Sequence, residues 1–224
     1  MRSQLFALAL SSMLVAASSA HASITAYTSL TSFNAAAGST TVEDFSTASI
    51  GFGTGNYSGS FNGFSLTGAS NRNNVGISTG SLADGGDNSA IPVAFAGQKF
   101  YGWGNFVGSP GALSTFTPSI TASALGFDFF NTDFSDDYNV LVNGNVLATI
   151  GYTSSGFLGF VANGADSISS VSIRANNIGG YVSTAGIDNV RVASVPEPIS
   201  LMLVGLGLFA VALSRSSKGQ VLAA

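Results

Sequence analysis

Cysteine is absent from the 224-residue chain, and its single histidine, His21, falls in an N-terminal stretch that reads as a removable leader. A mature chain without either residue type cannot hold a Ser-His-Asp triad, a histidine-based zinc site, a thiol nucleophile or a disulfide. Charge is scarce as well: charged residues make up 8% of the chain, against roughly a quarter in an average domain. Between Ser23 and Ser194 ten acids face four bases, so the domain is acidic. It offers no basic stripe for phosphates, which argues against nucleic acid as a partner. Solubility therefore rests on Ser, Thr, Asn and exposed backbone.

What the chain does have is glycine and phenylalanine, 28 and 17 residues respectively. Together they point to tight turns joining strands that bury aromatic rings, and not to disorder. Residues 1–22 combine Arg2, an apolar centre over 5–17 and the small-x-small sequence Ala20-His21-Ala22, the pattern of a secretory signal peptide cleaved between Ala22 and Ser23. The remainder divides into a domain at 23–194, an apolar terminal segment at 195–218 and a short tail at 219–224. The domain is long enough to bury a core without covalent staples.

Residues 29–38 read as one brief helix, with Thr28 or Ser29 as cap, Leu30, Phe33 and Ala37 on one face and Gly38 at the end. A first strand is expected over 40–45. Asn62-Gly63 between phenylalanines suggests a type I′ turn, and Asn143-Gly144 between two apolar runs is the strongest hairpin signature in the chain. Further strands are expected near 72–78, 100–106, 113–116, 124–130, 156–161 and 167–173, with a last pair at 181–185 and 186–192. The 113–116 stretch is expected to pair with the next strand in the chain. About ten short strands spaced roughly 8–12 residues apart, with one early helix, predict an all-β antiparallel sandwich.

The terminal segment has three features in order. Val195-Pro196-Glu197-Pro198 is rigid and extended, because the prolines remove backbone donors. An apolar run over 199–213 comes next, broken only by Ser200, and Arg215 and Lys218 close it with positive charge. Fifteen helical residues span roughly 22 Å, short of a ~30 Å hydrocarbon core, which suits a temporary anchor better than a permanent span. An ordinary C-terminal tail anchor is the plain alternative. This tail resembles the PEP-CTERM sorting signal of Gram-negative bacteria. That resemblance implies export by the Sec machinery and passage through the inner membrane with transient anchoring. It also implies processing by exosortase, a membrane protease-transpeptidase, and residence at the cell surface or in the extracellular matrix beside biofilm exopolysaccharide. Phe127-Asp128-Phe129, Val142-Asn143-Gly144, the run from Gly156 to Phe160 and the run from Ile187 to Val192 look like the passenger domain of many such proteins. Those domains are similar to jelly-roll, carbohydrate-binding-module-like sandwiches.

Three candidate chemistries stand beside plainer readings. Asp133, Asp136 and Asp137, with Asp128 upstream, form the densest carboxylate group and a candidate calcium site, although the spacing is not that of an EF-hand. A solvated acidic loop that keeps a low-charge protein soluble is the plainer reading, and Asp84, Asp87 and Asn88 read the same way. Tyr101 and Trp103 share a strand face and could stack on a sugar ring, while core packing is the plainer role for a lone tryptophan. Glu43 and Asp44 could serve a glycan hydrolase, but neighbours on one strand point to opposite faces. Asp188-Asn189 reads as structural, bonding nearby backbone. The sequence thus predicts a non-enzymatic, exported surface protein, with a lectin-like module as the alternative and a secreted hydrolase third.

Overall fold

Alternation with a period of two runs through most of the chain and folds it into two stacked antiparallel sheets. The computed structural model describes residues 23–51, 55–69, 75–79, 91–105, 113–132, 137–164, 166–176 and 183–194. The predicted leader, the terminal segment from Val195 onward, and Asp84, Asp87, Asn88, Asp133 and Asp136 lie outside those residues. The elements are β1 (Ser23–Tyr27), α1 (Leu30–Ala37), β2 (Thr41–Glu43), β3 (Asn56–Phe61), β4 (Phe64–Ala69), β5 (Val75–Ser78) and β6 (Phe100–Asn105). They continue with β7 (Leu113–Pro118), β8 (Ala122–Asn131), β9 (Tyr138–Val142), β10 (Asn145–Ile150), β11 (Ser154–Asn163), β12 (Val171–Ala175) and β13 (Ser183–Ser194).

The first sheet runs β1-β11-β8-β13-β6-β5, with β2 also paired to β13, and the second runs β10-β9-β12-β7-β4-β3. Within them, eight strands are ordered β6-β13-β8-β11 and β7-β12-β9-β10. That interleaving is the jelly-roll form of the sandwich the sequence predicts. Leu125, Phe127, Tyr101 and Trp103 from the first sheet meet Phe116, Tyr138, Val140 and Ile173 from the second, all buried. Tyr101 ties the layers together, its hydroxyl lying 2.9 Å from Ser114 Oγ. Gly68 makes room for that hydroxyl, since a Cβ there would overlap it.

A second apolar layer covers the outward face of the first sheet. Ser29 caps α1, its hydroxyl accepting from the Ser32 N–H at 3.4 Å, and Gly38 closes it at φ 71° with its N–H bonded to the Asn34 carbonyl at 3.1 Å. The helix delivers Phe33 onto Phe157, ring centroids 5.1 Å apart. Gly126 and Gly159 are the floor under these rings, and a Cβ at either would press into Phe33 or Phe157. Beyond them Phe95, Phe100 and Phe130 form a separate cluster. It rests on Gly186, where an added Cβ would come 2.5 Å from the Phe130 ring.

Several expectations are corrected. Residues 23–27, which the sequence marks only as a short apolar-polar lead, form β1 along β11. The strand expected over 40–45 ends at Glu43, because Phe45 turns at φ 55° to bury its ring against Phe61. At Asn62-Gly63 only Gly63 has positive φ, so that turn is not type I′, whereas Asn143 (51°) and Gly144 (83°) both are positive, as type I′ demands. β7 pairs with β4 and β12 and not with β8, since the chain crosses to the other sheet at 119–121. The expected final pair of strands is one strand, Ser183–Ser194; Gly186 is a seat for aromatic rings and not a turn.

Candidate functional site

The outward face of the first sheet carries one cross-strand row of reactive groups. Phe157 of β11 stands opposite Asp128 of β8, and Asp128 stands opposite Asp188 of β13. Side chains so placed share a face and lie close. A bulge then adds a fourth member. The register shifts between Asp188 and Arg191, with Asn189 at φ 50°. One extra residue reverses the inward-outward alternation. Val190 therefore enters the core, and Arg191 comes out beside Asp128.

Arg191 is held on three sides. Its guanidinium nitrogens lie 3.4 Å from Asp128 Oδ2, and Nη1 also donates to the Asn189 carbonyl at 2.6 Å. Its Cζ stands 5.5 Å over the Phe157 ring, in the range of a cation–π contact. Asp188 is only 1% exposed, and its Oδ1 accepts the Asn189 N–H at 2.6 Å. Burial pushes its carboxyl up to about 7; the Asn189 N–H opposes that, Asp44 and Asp128 reinforce it, and Arg191 opposes it.

A cavity of about 270 Å³ opens above the row, lined by Pro92, Phe95, Asp128, Phe157, Asp188 and Asn189 among others. It offers a carboxyl whose ionisation is opposed by burial, and a carboxylate braced by a cation. An amide side chain and ring faces complete the lining. Such a mixture suits a neutral, hydroxyl-bearing ligand better than an anion or a bare cation.

The residues singled out by sequence are scattered. Tyr101 and Trp103 do share a strand face, but that face looks into the core and leaves them 0% and 1% exposed. The sugar-contact reading of these two residues is corrected to core packing, with Trp103 edge-on to Tyr138 at 5.7 Å. Asp128 belongs to the pocket, while Asp137 accepts from Asn176 Nδ2 at 3.4 Å beside β9 of the other sheet. Among the described residues no three acidic or histidine side chains group as a metal site. The other members of the proposed calcium group, Asp133 and Asp136, lie outside those residues. Glu43 is spent on backbone, accepting the N–H of Phe45 at 2.8 Å and of Asn62 at 3.3 Å. Asp44 caps Ser46 at 3.0 Å, and the Ser46 hydroxyl and N–H hold its carboxyl below the usual range. Ser23 starts β1.

Sequence reasoning passed over Asp188, Arg191 and Phe157 as a site. Asp188 does bond neighbouring backbone, as expected, but it also floors the pocket. Two acids in largely apolar strands were the available clue. What hid the site is that Asp128, Phe157 and the Asp188–Arg191 stretch lie 29 to 63 residues apart, on three strands, with a bulge deciding which way Arg191 points.

The model of the PEP-CTERM protein-sorting motif matches residues 194–216. The chain carries a PEP-CTERM sorting motif. The match contains Val195, Pro196, Glu197, Pro198 and Arg215, and it begins at Ser194, the last residue of β13. The PEP-CTERM segment thus succeeds the sandwich without a spacer. Among the described residues no helix is long and apolar enough to cross a membrane. A comparison with curated proteins finds no match. Among solved structures the chain is similar to a mutant of the family 29 carbohydrate-binding module CBM29-2, with TM-score 0.36 and 14% identity over 68% of this chain and 100% of that one. It is similar to another family 29 module mutant at TM-score 0.30, 12% identity, 80% and 100% coverage. It is also similar to the Agl-KA catalytic domain at TM-score 0.33 and 15% identity, covering 66% of this chain and 29% of that one. At TM-scores below 0.5 none of these likenesses bears on what this chain binds.

Proposed function

We propose that this PEP-CTERM protein is exported by the Sec machinery and held in the inner membrane through residues 199–213. Exosortase then processes it for display at the cell surface or in the extracellular matrix. The observation that supports this reading is the sorting motif at 194–216, joined directly to a folded, acidic sandwich. Arg215 and Lys218 remain cytoplasmic in this arrangement, as the positive-inside rule requires. Replacing Pro196, Glu197 and Pro198 by alanine is expected to leave an unprocessed, membrane-retained precursor. An unchanged mature mass with unchanged release refutes the sorting reading.

The pocket favours a second element of the same reading: the sandwich is a binding module for the glycans of the exopolysaccharide matrix. Its Asp128 carboxylate and Asn189 amide can exchange hydrogen bonds with sugar hydroxyls, and Phe95 and Phe157 supply apolar walls. Burial of Asp188 supports binding over hydrolysis, because a general acid must reach the glycosidic oxygen. Wild-type protein should be retained on a polysaccharide matrix in affinity electrophoresis, and Asp128→Ala and Phe157→Ala should not. Equal migration of all three refutes glycan binding at this pocket.

A further inference from the structure

β11 has a strand on both sides over only part of its length. Its pairing with β1 runs from Ser23–Asn163 to Tyr27–Gly159, so 154–158 has β8 on one side and an open edge on the other. At Thr28 the chain leaves the sheet for α1. Beside this open edge lies a second cavity, of about 190 Å³. Thr28, Thr149 and Ser155 give it exposed residues with hydroxyls, and Phe129, Ile150 and Leu158 give it apolar walls. No charged side chain stands among the described residues that line it.

The fold holds the walls of this notch in place. Thr149 and Ile150 end β10, Ser155 stands at the start of β11, and the turn between them is pinned at Gly151. The Gly151 carbonyl accepts from Asn131 Nδ2 at 3.2 Å and from the Ser154 hydroxyl. Thr153 sits in that turn at φ 49°, a left-handed conformation that β-branched residues avoid. Such backbone strain gathers at functional sites, where the surrounding structure enforces it. Thr149 Oγ1 donates to Asn139 Oδ1 at 3.2 Å, which leaves its lone pairs to accept from a ligand. A wall already ordered spares a ligand the cost of ordering it.

The two cavities meet. Ser155, Gly156 and Phe157 line both the Asp128–Asp188 pocket and the notch. Either cavity alone is smaller than a small-molecule site of roughly 300–1,000 Å³, whereas together they lie within that range. Gly156 is the saddle between them. Its φ is not positive, and a Cβ there would stand 3.6 Å from the Phe129 ring, an ordinary contact. Neither backbone nor packing therefore calls for glycine at this exposed position, and a close-passing ligand does. We propose that the pocket and the notch are neighbouring subsites for consecutive sugar units of one glycan chain, which crosses the open edge of β11 at Gly156. This deepens the glycan-binding reading above and rests on it. One unit lies against Phe157 and Asp128, and the uncharged, hydroxyl-lined notch takes a neutral unit next to it.

The test uses full-length protein in detergent, with the exopolysaccharide of the producing bacterium as the gel matrix in affinity electrophoresis. Mono-, di- and trisaccharides from partial hydrolysis of that polymer serve as competitors. For wild type, the disaccharide should release the protein at a concentration roughly tenfold or more below that of the monosaccharide. Gly156→Leu, whose side chain fills the passage, should erase that difference while a weaker retention remains. Thr28→Trp, at the exposed rim of the notch, should do the same without touching the saddle, which separates a blocked subsite from a folding defect at 156. Equal competition by mono- and disaccharide against wild type overturns the inference and leaves glycan binding at the pocket intact. An undiminished preference for the longer competitor in both variants does so too. Failure of the polymer to retain wild type overturns the glycan-binding reading and this inference with it.

Discussion

Replacing Asp188 by asparagine tests the electrostatics of the pocket at its deepest point. Asp188 is buried opposite Asp128, and its carboxyl is raised from 3.8 to about 7 chiefly by burial. A raised acid pKa means that, between pH 4 and pH 7, the folded chain holds a proton that the unfolded chain has released. Stability therefore falls as pH rises through that window; it is highest below the unfolded value and is lost above the folded one. A shift of about three units corresponds to about 4 kcal/mol. The amide introduced by Asp188→Asn cannot ionise, and its oxygen can still accept the Asn189 N–H. The variant should match wild type near pH 4, show a flatter profile, and gain up to about 4 kcal/mol over wild type at pH 8. Urea unfolding monitored by the emission of Trp103, the only tryptophan, reads this out. The one histidine is His21 in the predicted leader, so no histidine of the sandwich confuses the window. Parallel pH profiles for the two proteins, or a variant less stable at pH 8, would refute the assignment.

Arg191→Ala removes the cation between Asp128 and the Phe157 ring; a loss of about 2–3 kcal/mol is expected in the same unfolding assay, with the pH-dependent window moved upward because Arg191 opposes the rise at Asp188. Asn143→Ala should cost about 2–4 kcal/mol in urea unfolding. Its Oδ1 accepts from Ser169 N and Oγ and from Ser170 N, its Nδ2 donates to Ser167, and its φ is 51°, so Asn143→Gly should recover the backbone part alone. Gly159→Ala should push Phe33 off the sheet at a cost of about 1–3 kcal/mol. Limited proteolysis would then cut within 28–38 before the sandwich unfolds.

Much of the fold was legible because local rules coincide with tertiary demands. The helix carries its own cap and stop in Ser29 and Gly38, and the Asn143-Gly144 hairpin needs two positive φ values that those residues supply cheaply. Where a local rule met a non-local constraint, it failed. Gly186 reads as a turn until the Phe130 and Phe100 rings are placed over it. Val42, Glu43 and Phe45 read as one strand until the burial of Phe45 bends the chain. Tyr101 and Trp103 have the spacing of a stacking platform, and spacing does not tell which side of a sheet is wet.

By itself the amino-acid sequence determined the sorting motif and the class of the fold. A Pro-Glu-Pro sorting motif works as a linear signal, and antiparallel strands announce themselves through alternation and turn residues within a few positions. Which acids act together was decided only in three dimensions. Strand order brings Asp128 and Asp188 side by side from 60 residues apart, and one inserted residue in β13 turns Arg191 toward them. That pairing depends on register and burial summed over the whole sandwich, which no short window of sequence contains.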